Sequence, residues 1–172
     1  ARAGATVGGI SGILLRPAAH TALVVAVRSY PRELFSLHGL GFAEQSATSN
    51  ERGAYIGMKI EPVRRIRISL YYDQFTFPAG AGGFLLPSGG NDFFVELSVR
   101  PAPRVGLTVR YRGKISAHTG SGVMPDGLTA PVSGQQRQQH VRMNLEFALN
   151  NRVQFGARVE KVLVLSGFQG RR

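Results

Sequence analysis

The sequence contains no cysteine and no tryptophan, and its basic residues include only three lysines. The absence of cysteine excludes disulfide frameworks, cysteine-ligated zinc, iron–sulfur clusters and thiol catalysis. No apolar run approaches the roughly 18 residues that a membrane-spanning helix requires, so a helical membrane protein is excluded. With 172 residues and a hydrophobic fraction of 43%, the chain suits one folded domain rather than a disordered basic tail.

A formal net charge of +11, from 21 Lys+Arg against 10 Asp+Glu, invites a nucleic-acid function because basic patches attract phosphate. The arginines, however, form no continuous run. They occupy alternate positions in many segments or lie beside turn prolines. The sequence also lacks the aromatic and basic residues, interleaved on one open face, that stacking platforms for nucleic acid use. We therefore expect no nucleic-acid partner for this segment.

Apolar and polar residues alternate with a period of two along much of the chain. At residues 65–68, for example, Ile66 and Ile68 fall on one face while Arg65 and Arg67 fall on the other. Such alternation over about eight or more residues predicts a strand with one apolar and one polar face. It is strict at 65–73, 91–100, 104–114 and 140–149, and weaker at 5–16, 20–30, 52–61 and 152–165.

The connections between these strands fall into two alternating classes. Short connections built on Pro or Asn are typical of tight turns, and longer ones rich in Gly, Ser, Pro and Thr are typical of loops. The chain therefore predicts an all-β fold, an antiparallel up-and-down meander of about eight strands. The short connections are 16–20, 61–65, 100–104 and 149–152, and the long ones are about 31–50, 78–90 and 116–134.

A meander with one apolar face has two physical solutions, since that face either forms a soluble core or meets lipid. Three features favour a transmembrane β-barrel. Several strands reach the roughly 9–11 residues that cross a bilayer, the short turns gather at one end, and aromatics flank an aliphatic middle. The alternative is a soluble eight-stranded barrel, lipocalin-like in architecture, that binds a small apolar ligand.

The barrel interpretation assigns each alternating residue to the lipid, the lumen or an interfacial belt. The lipid-facing residues are Ile66, Ile68, Leu70, Val95, Leu97, Leu107, Val109 and Leu145. The charged residues expected to line the lumen are Arg65, Arg67, Asp73, Glu96, Arg110, Arg112, Arg142, Glu146, Arg158 and Glu160. The aromatic girdle is expected to contain Tyr72, Phe93, Tyr111, Phe147 and Phe155.

Five stretches follow one another in order: NERGAYIG (50–57), YYDQFTFP (71–78), RYRGK (110–114), RMNLEFAL (142–149) and RVE (158–160). This order resembles the C-terminal β-barrel region of bacterial helix-hairpin-helix (ComEA-like) proteins of the Bacteroidota type, over roughly residues 20–165. The resemblance implies a bacterial outer-membrane barrel. Ala79 and Gly80 stand where that family often has Trp, and the helix-hairpin-helix part is absent, so no DNA-binding role is carried over.

The C-terminal stretch SGFQGRR lacks the terminal aromatic residue with which outer-membrane barrels usually finish. We therefore expect residues 1–172 to form a single barrel domain that is a portion of a longer barrel. A complete small barrel is the alternative, because eight strands is the smallest closed form.

Candidate catalytic and metal-binding residues are few. Ser116, His118 and Asp126 share one segment, but polar loop residues are the better interpretation. Glu96, Glu146 and Glu160 have arginines at plausible cross-strand positions, which indicates ion pairs before acid–base chemistry. No metal-ligand spacing is present. We therefore expect no enzymatic activity, no catalytic residue, no metal and no cofactor.

The sequence thus predicts a non-enzymatic integral protein of the bacterial outer membrane, structural or pore-forming, with an arginine-rich lumen. The partners expected from this localisation are membrane lipids, including lipopolysaccharide, together with other outer-membrane or periplasmic proteins.

Overall fold

The computed structural model describes residues 6–34, 42–44, 49–79, 87–123, 129–150 and 152–168, and only the backbone for 118–123, 129–133 and 168. None of these residues belongs to a helix long and apolar enough to cross a membrane. They form β1 (Gly9–Ala18), β2 (Thr21–Tyr30), β3 (Glu51–Val63), β4 (Ile66–Phe77), β5 (Ser88–Ala102), β6 (Val105–Val123), β7 (Thr129–Ala148) and β8 (Gln154–Phe168).

The strands form one sheet in which each strand pairs with the next along the chain, in the order β1 to β8. Every pairing is antiparallel. The all-β, eight-stranded up-and-down meander expected from the sequence is therefore confirmed. Strands β1 and β8 form the two edges of this sheet, which is not closed in the part of the chain that the structure describes.

Proline marks the end of the regular ladder at three of the four tight turns. The register shifts between Leu15 and Ala18, between Ile60 and Val63, and between Val99 and Ala102. Each skipped pair of residues ends in proline: Arg16–Pro17, Glu61–Pro62 and Arg100–Pro101. Because proline has no N–H to donate, it interrupts the ladder just before the chain turns.

The fourth tight turn, between β7 and β8, uses asparagine instead. The side-chain oxygen of Asn150 accepts hydrogen bonds from the backbone N–H groups of Arg152, at 2.8 Å, and Val153, at 2.9 Å. Beyond the last register pair, Ala148 and Gln154, these bonds accompany a backbone bond from the N–H of Leu149 to the carbonyl oxygen of Val153 at 3.0 Å.

The register divides the strand residues between two faces, since partners on neighbouring antiparallel strands point to the same side. We define the charged face as the one with the row Ala22, Lys59, Ser69, Glu96, Arg110, Arg142 and Glu160. The aliphatic face is the opposite one, with the row Thr21, Ile60, Ile68, Leu97, Val109, Met143 and Val159.

Residues 116–134 were expected to form a long loop, and the structure corrects this expectation. Strands β6 and β7 continue to pair as far as Val123 and Thr129. Strand β5 pairs no further along β6 than Ser116, and β8 no further along β7 than Gly134, so the hairpin extends beyond both neighbours. The composition rich in Gly, Ser and Thr indicated a loop. A register already set by the paired strands lets the two backbones continue bonding to each other whatever the composition of the segment.

Gly90 lies where β4, β5 and β6 approach one another closely. A Cβ at this position would lie 2.0 Å from the carbonyl oxygen of Ile115 and 2.9 Å from the ring of Phe75. We expect Gly90→Ala to lower the free energy of unfolding by about 1–3 kcal/mol, since backbone must move to relieve the overlap. Urea denaturation of the refolded protein would measure this change.

Gly156 supplies the matched control for that measurement. No atom would lie within 4 Å of a Cβ placed there. Gly156→Ala should therefore leave the stability unchanged or raise it by a few tenths of a kcal/mol, because alanine reduces the freedom of the unfolded chain. Equal losses from the two variants would contradict the close approach at Gly90.

Candidate functional site

All the charged residues predicted to line a lumen, with one exception, lie on the charged face. Arg67 lies in register with Ser98, Thr108, Asn144 and Arg158 across four neighbouring strands. Asp73, Glu96, Arg110, Arg112, Arg142, Glu146 and Glu160 occupy other rows of the same face.

The exception is Arg65, which lies in the turn before β4 rather than on a strand. Its Nη1 donates a hydrogen bond to the carbonyl oxygen of Pro101 at 3.2 Å. The alternation through residues 65–73 could not distinguish these places, since the first residue of an alternating run can belong to the turn that precedes it.

A buried ionic cluster joins β2, β3 and β4 on the charged face. The Nε of Arg28 donates to a carboxylate oxygen of Glu51 at 2.5 Å, and its Nη1 and Nη2 donate to Asp73 at 2.7 and 3.0 Å. Arg28, Glu51 and Asp73 are only 4%, 0% and 5% exposed. The guanidinium bridges two carboxylates, one of them through a bidentate pair, which compensates the desolvation of these charges.

The sequence of β3 makes room for this cluster. A Cβ on Gly53 would lie 2.4 Å from the Cζ of Arg28, so the guanidinium occupies the space above a residue without a side chain. Gly57 has the same relation to Tyr55, whose ring would lie within 3 Å of an added Cβ. Gly53 therefore makes room for a side chain of the neighbouring strand β2, and Gly57 makes room for a ring of β3 itself.

A second ionic group continues the cluster across β5 and β6. Asp92, only 2% exposed, accepts hydrogen bonds from the Nε of Arg112 at 3.0 Å and from the hydroxyl of Tyr71 at 3.3 Å. Lys114 forms an ion pair with Glu44. Buried carboxylates on β3, β4 and β5 are thus each matched by a cation from β2 or β6.

Aromatic rings pack beside these ion pairs. Tyr71 stacks on Phe94 with ring centroids 5.0 Å apart, and Tyr55 lies 5.6 Å from Tyr71 and 5.2 Å from Phe42. The guanidinium of Arg28 lies 5.0 Å from the centroid of the Phe42 ring. Phe75, Phe77 and Tyr30 complete the buried part of the charged face. We call the two ionic groups and these rings, apart from Phe42, which is 47% exposed, the buried cluster.

Toward the tight turns the charged face becomes open to solvent. Arg110 pairs with Glu96 at 2.9 Å, and Arg142 pairs with Glu160 at 2.9 Å. Arg67, whose side chain is 53% exposed, pairs with Glu61 at 2.7 Å. Exposed pairs of this kind contribute little to stability. The charged face therefore has a packed end near the long connections and an open end near the tight turns.

The aliphatic face presents large apolar side chains outward across the sheet. The residues predicted to face lipid lie there, as do the girdle residues, with Tyr72 in register with Phe93 and Phe147 in register with Phe155. The charged exceptions on this face are Lys161, in register with Val141, Arg137, in register with Leu165, and Arg52, in register with Thr76. Exposed members of this face include Val25, Val27, Ile56, Tyr72, Phe93, Leu97, Val141, Met143, Leu145, Phe147, Phe155, Val159, Leu163 and Leu165.

The described residues assemble no cluster of metal-binding side chains. Among them, no group of three or more His, Asp and Glu could hold a metal ion. Ser116 lies on β6, whereas Asp126 and the side chain of His118 lie outside the described residues. Two of the three glutamates expected in ion pairs are paired, Glu96 and Glu160. Glu146 forms no ion pair with any residue that the structure describes.

Sequence reasoning missed the most buried residues of the site. Arg28, Glu51 and Asp92 were absent from the predicted set, although they form the centre of the buried cluster. One signal was available: Arg28 is the only charged residue within β2, and β3 alternates Glu51, Gly53, Tyr55 and Gly57 on one face.

The buried cluster makes a specific prediction for stability. Arg28→Met should lower the free energy of unfolding by about 3–5 kcal/mol, because it leaves two buried carboxylates without their cation. Arg110→Met, which removes the same charge from a more exposed pair with Glu96, should cost about 1 kcal/mol or less. Urea denaturation of both variants measures the difference, and equal losses would contradict the assigned role of Arg28.

Comparison of the chain with protein-family models, with curated proteins and with solved structures finds no match. The resemblance to the barrel region of helix-hairpin-helix proteins therefore stays a prediction from sequence motifs. Two of those motifs contribute directly to the buried cluster: NERGAYIG supplies Glu51, Gly53 and Tyr55, and YYDQFTFP supplies Asp73 and Phe75. The function has to be inferred from the geometry of the two faces.

Proposed function

We propose that this chain forms part of the wall of an integral β-barrel in the bacterial outer membrane, with a structural or pore-forming role and no enzymatic activity. The observation that carries the proposal is the distribution of burial between the faces. Arg28, Glu51, Asp73 and Asp92 are buried on one face, while large aliphatic side chains cover the other and are exposed. Water favours the opposite arrangement, and a bilayer favours this one.

The height of the aliphatic band supports insertion. On β7 the apolar residues of this face run from Val141 to Phe147, which lies beside Phe155. The row of Tyr72 and Phe93 meets β7 at Gln139, eight residues from Phe147, so the two aromatic rows are about 27 Å apart along a strand, or about 21 Å at the usual tilt of a barrel strand. The apolar band of outer-membrane barrels is about 25 Å tall.

Polar residues border this band at both ends. Gln74 and Asn91 are paired on the aliphatic face one row beyond Tyr72 and Phe93. At the other end the tight turns carry arginines. A sheet with an aliphatic band between polar borders fits a membrane with two aqueous sides. The partners we propose are therefore lipids, including lipopolysaccharide, and other outer-membrane or periplasmic proteins.

The soluble, lipocalin-like alternative requires the aliphatic face to enclose a ligand. In the described residues this face has no covering layer, and the side chains that are buried belong to the charged face. The burial pattern therefore favours the membrane barrel. The two functions also differ in behaviour, because a lipocalin-like protein stays soluble without detergent.

The buried cluster should restrict ion flow through the barrel. Its rings and paired charges fill the charged face near the long connections, so we expect planar-bilayer recordings of the reconstituted protein to show no large, stable conductance. Removal of the stacked rings by Tyr71→Ala with Phe94→Ala should increase the conductance and favour anions, since arginines and lysines together outnumber carboxylates on this face. A large cation-selective conductance of the unaltered protein would contradict the proposal.

The absence of tryptophan permits a direct test of orientation. Adjacent residues Leu97 and Ser98 lie on the aliphatic and charged faces, so single tryptophans placed there should report different surroundings. In vesicles of brominated phosphatidylcholine, we expect strong quenching of Leu97→Trp fluorescence and weak quenching of Ser98→Trp. Inverted quenching would reverse the faces. Quenching of neither variant in vesicles that retain the protein would contradict insertion.

A further inference from the structure

The open end of the charged face contains a cleft with a volume of about 150 Å³ beside two tight turns. Arg64 and Arg65 approach it from the turn between β3 and β4, and Arg100 approaches from the end of β5. We call this the arginine cleft. Its remaining polar lining consists of Glu61, Arg67, Ser98, Thr108 and Glu146.

Backbone bonding holds the two sides of the arginine cleft together. The backbone N–H of Arg100 donates to the carbonyl oxygen of Arg65 at 2.8 Å. In return, the side-chain Nη1 of Arg65 donates to the carbonyl oxygen of Pro101 at 3.2 Å. These bonds continue the β4–β5 pairing beyond its last register pair, Ile66 and Val99, and the cleft beside them is lined by all three arginines.

The cations of the cleft exceed the available carboxylates. Glu61 is already paired with Arg67 at 2.7 Å and contacts Lys59 at 3.6 Å. Neither Arg64 nor Arg100 forms an ion pair or a side-chain hydrogen bond with any residue that the structure describes. The remaining carboxylate of the lining is Glu146, so the cleft has spare donors and spare positive charge.

We propose that the arginine cleft binds a phosphate group, with Arg64, Arg65 and Arg100 as its ligands. A guanidinium offers paired N–H donors that match two oxygens of a phosphate, and the dianion suits a site with more than one unpaired cation. The volume corresponds to about five water molecules, which leaves room for one tetrahedral oxyanion. This site goes beyond the proposed membrane function and does not depend on insertion.

The test uses the detergent-solubilised protein and phenyl phosphate, followed by phosphorus NMR or calorimetry. We expect saturable binding that weakens at least about tenfold in the double variant Arg64→Gln with Arg100→Gln, because each substitution removes a charged hydrogen bond to the phosphate. Glu146→Gln should strengthen binding, since it removes the opposing negative charge of the lining.

A matched control removes the same charge at the other end of the sheet. Arg32 and Arg52 are exposed and lie near the long connections, Arg52 on the aliphatic face beside the row of Glu51. Arg32→Gln with Arg52→Gln should leave the affinity for phenyl phosphate within about twofold. Equal weakening by both double variants, or equal affinity for acetate and phenyl phosphate, would overturn the proposal.

Two sources of the phosphate group are distinguished by competition. If micelles containing phosphatidylglycerol displace phenyl phosphate and micelles of phosphatidylcholine do not, the natural ligand is the head group of an anionic lipid. If inorganic phosphate displaces it and phosphatidylglycerol does not, the ligand is a soluble phosphate compound. Absence of saturable binding of phenyl phosphate to the folded protein would overturn both versions.

Discussion

The bridge from Arg28 to Glu51 and Asp73 depends on the register of three strands. Arg28 lies opposite Gly53, two residues from Glu51, while Asp73 faces Tyr55 from β4. A slip of one residue would turn every side chain of the slipped strand to the other face. These charges would then lie among aliphatic groups. Because an unpaired buried charge is so costly, the bridge stabilises the observed register over its neighbours.

The same register buries charged groups on one face of the sheet and exposes aliphatic groups on the other, which is the reverse of the arrangement in a water-soluble protein. Once Arg28 and Asp73 occupy one face, their neighbours Val27 and Tyr72 must occupy the other. Ionic and aromatic groups then bury one another, and the aliphatic groups are left outward, where lipid can solvate them. The membrane proposal and the stability of the buried cluster are therefore two consequences of one alternation.

Alternation predicted the strands and their faces well because both follow from a period of two. It could not distinguish buried from exposed residues within one face. Asp73 is buried and Arg67 is exposed, yet both fit the same pattern. Burial of Arg28 depends on contacts with β3 and β4 that lie 23 and 45 residues away. The extended β6–β7 hairpin was also missed, since its pairing depends on a register set elsewhere rather than on its own composition.

The edges of the sheet impose the remaining constraint. Strands β1 and β8 carry apolar residues even on the charged face, where Ile10 and Leu14 lie at one edge and Val162 and Val164 at the other, all exposed. A bilayer offers no hydrogen bonds to unpaired backbone groups, so insertion requires both edges to be paired. In the proposed barrel, the strands that pair with these edges, whether the two edges themselves or further strands, would therefore meet an apolar surface on both sides. Packing and backbone pairing, rather than the ion pairs that define the middle of the sheet, must stabilise that seam.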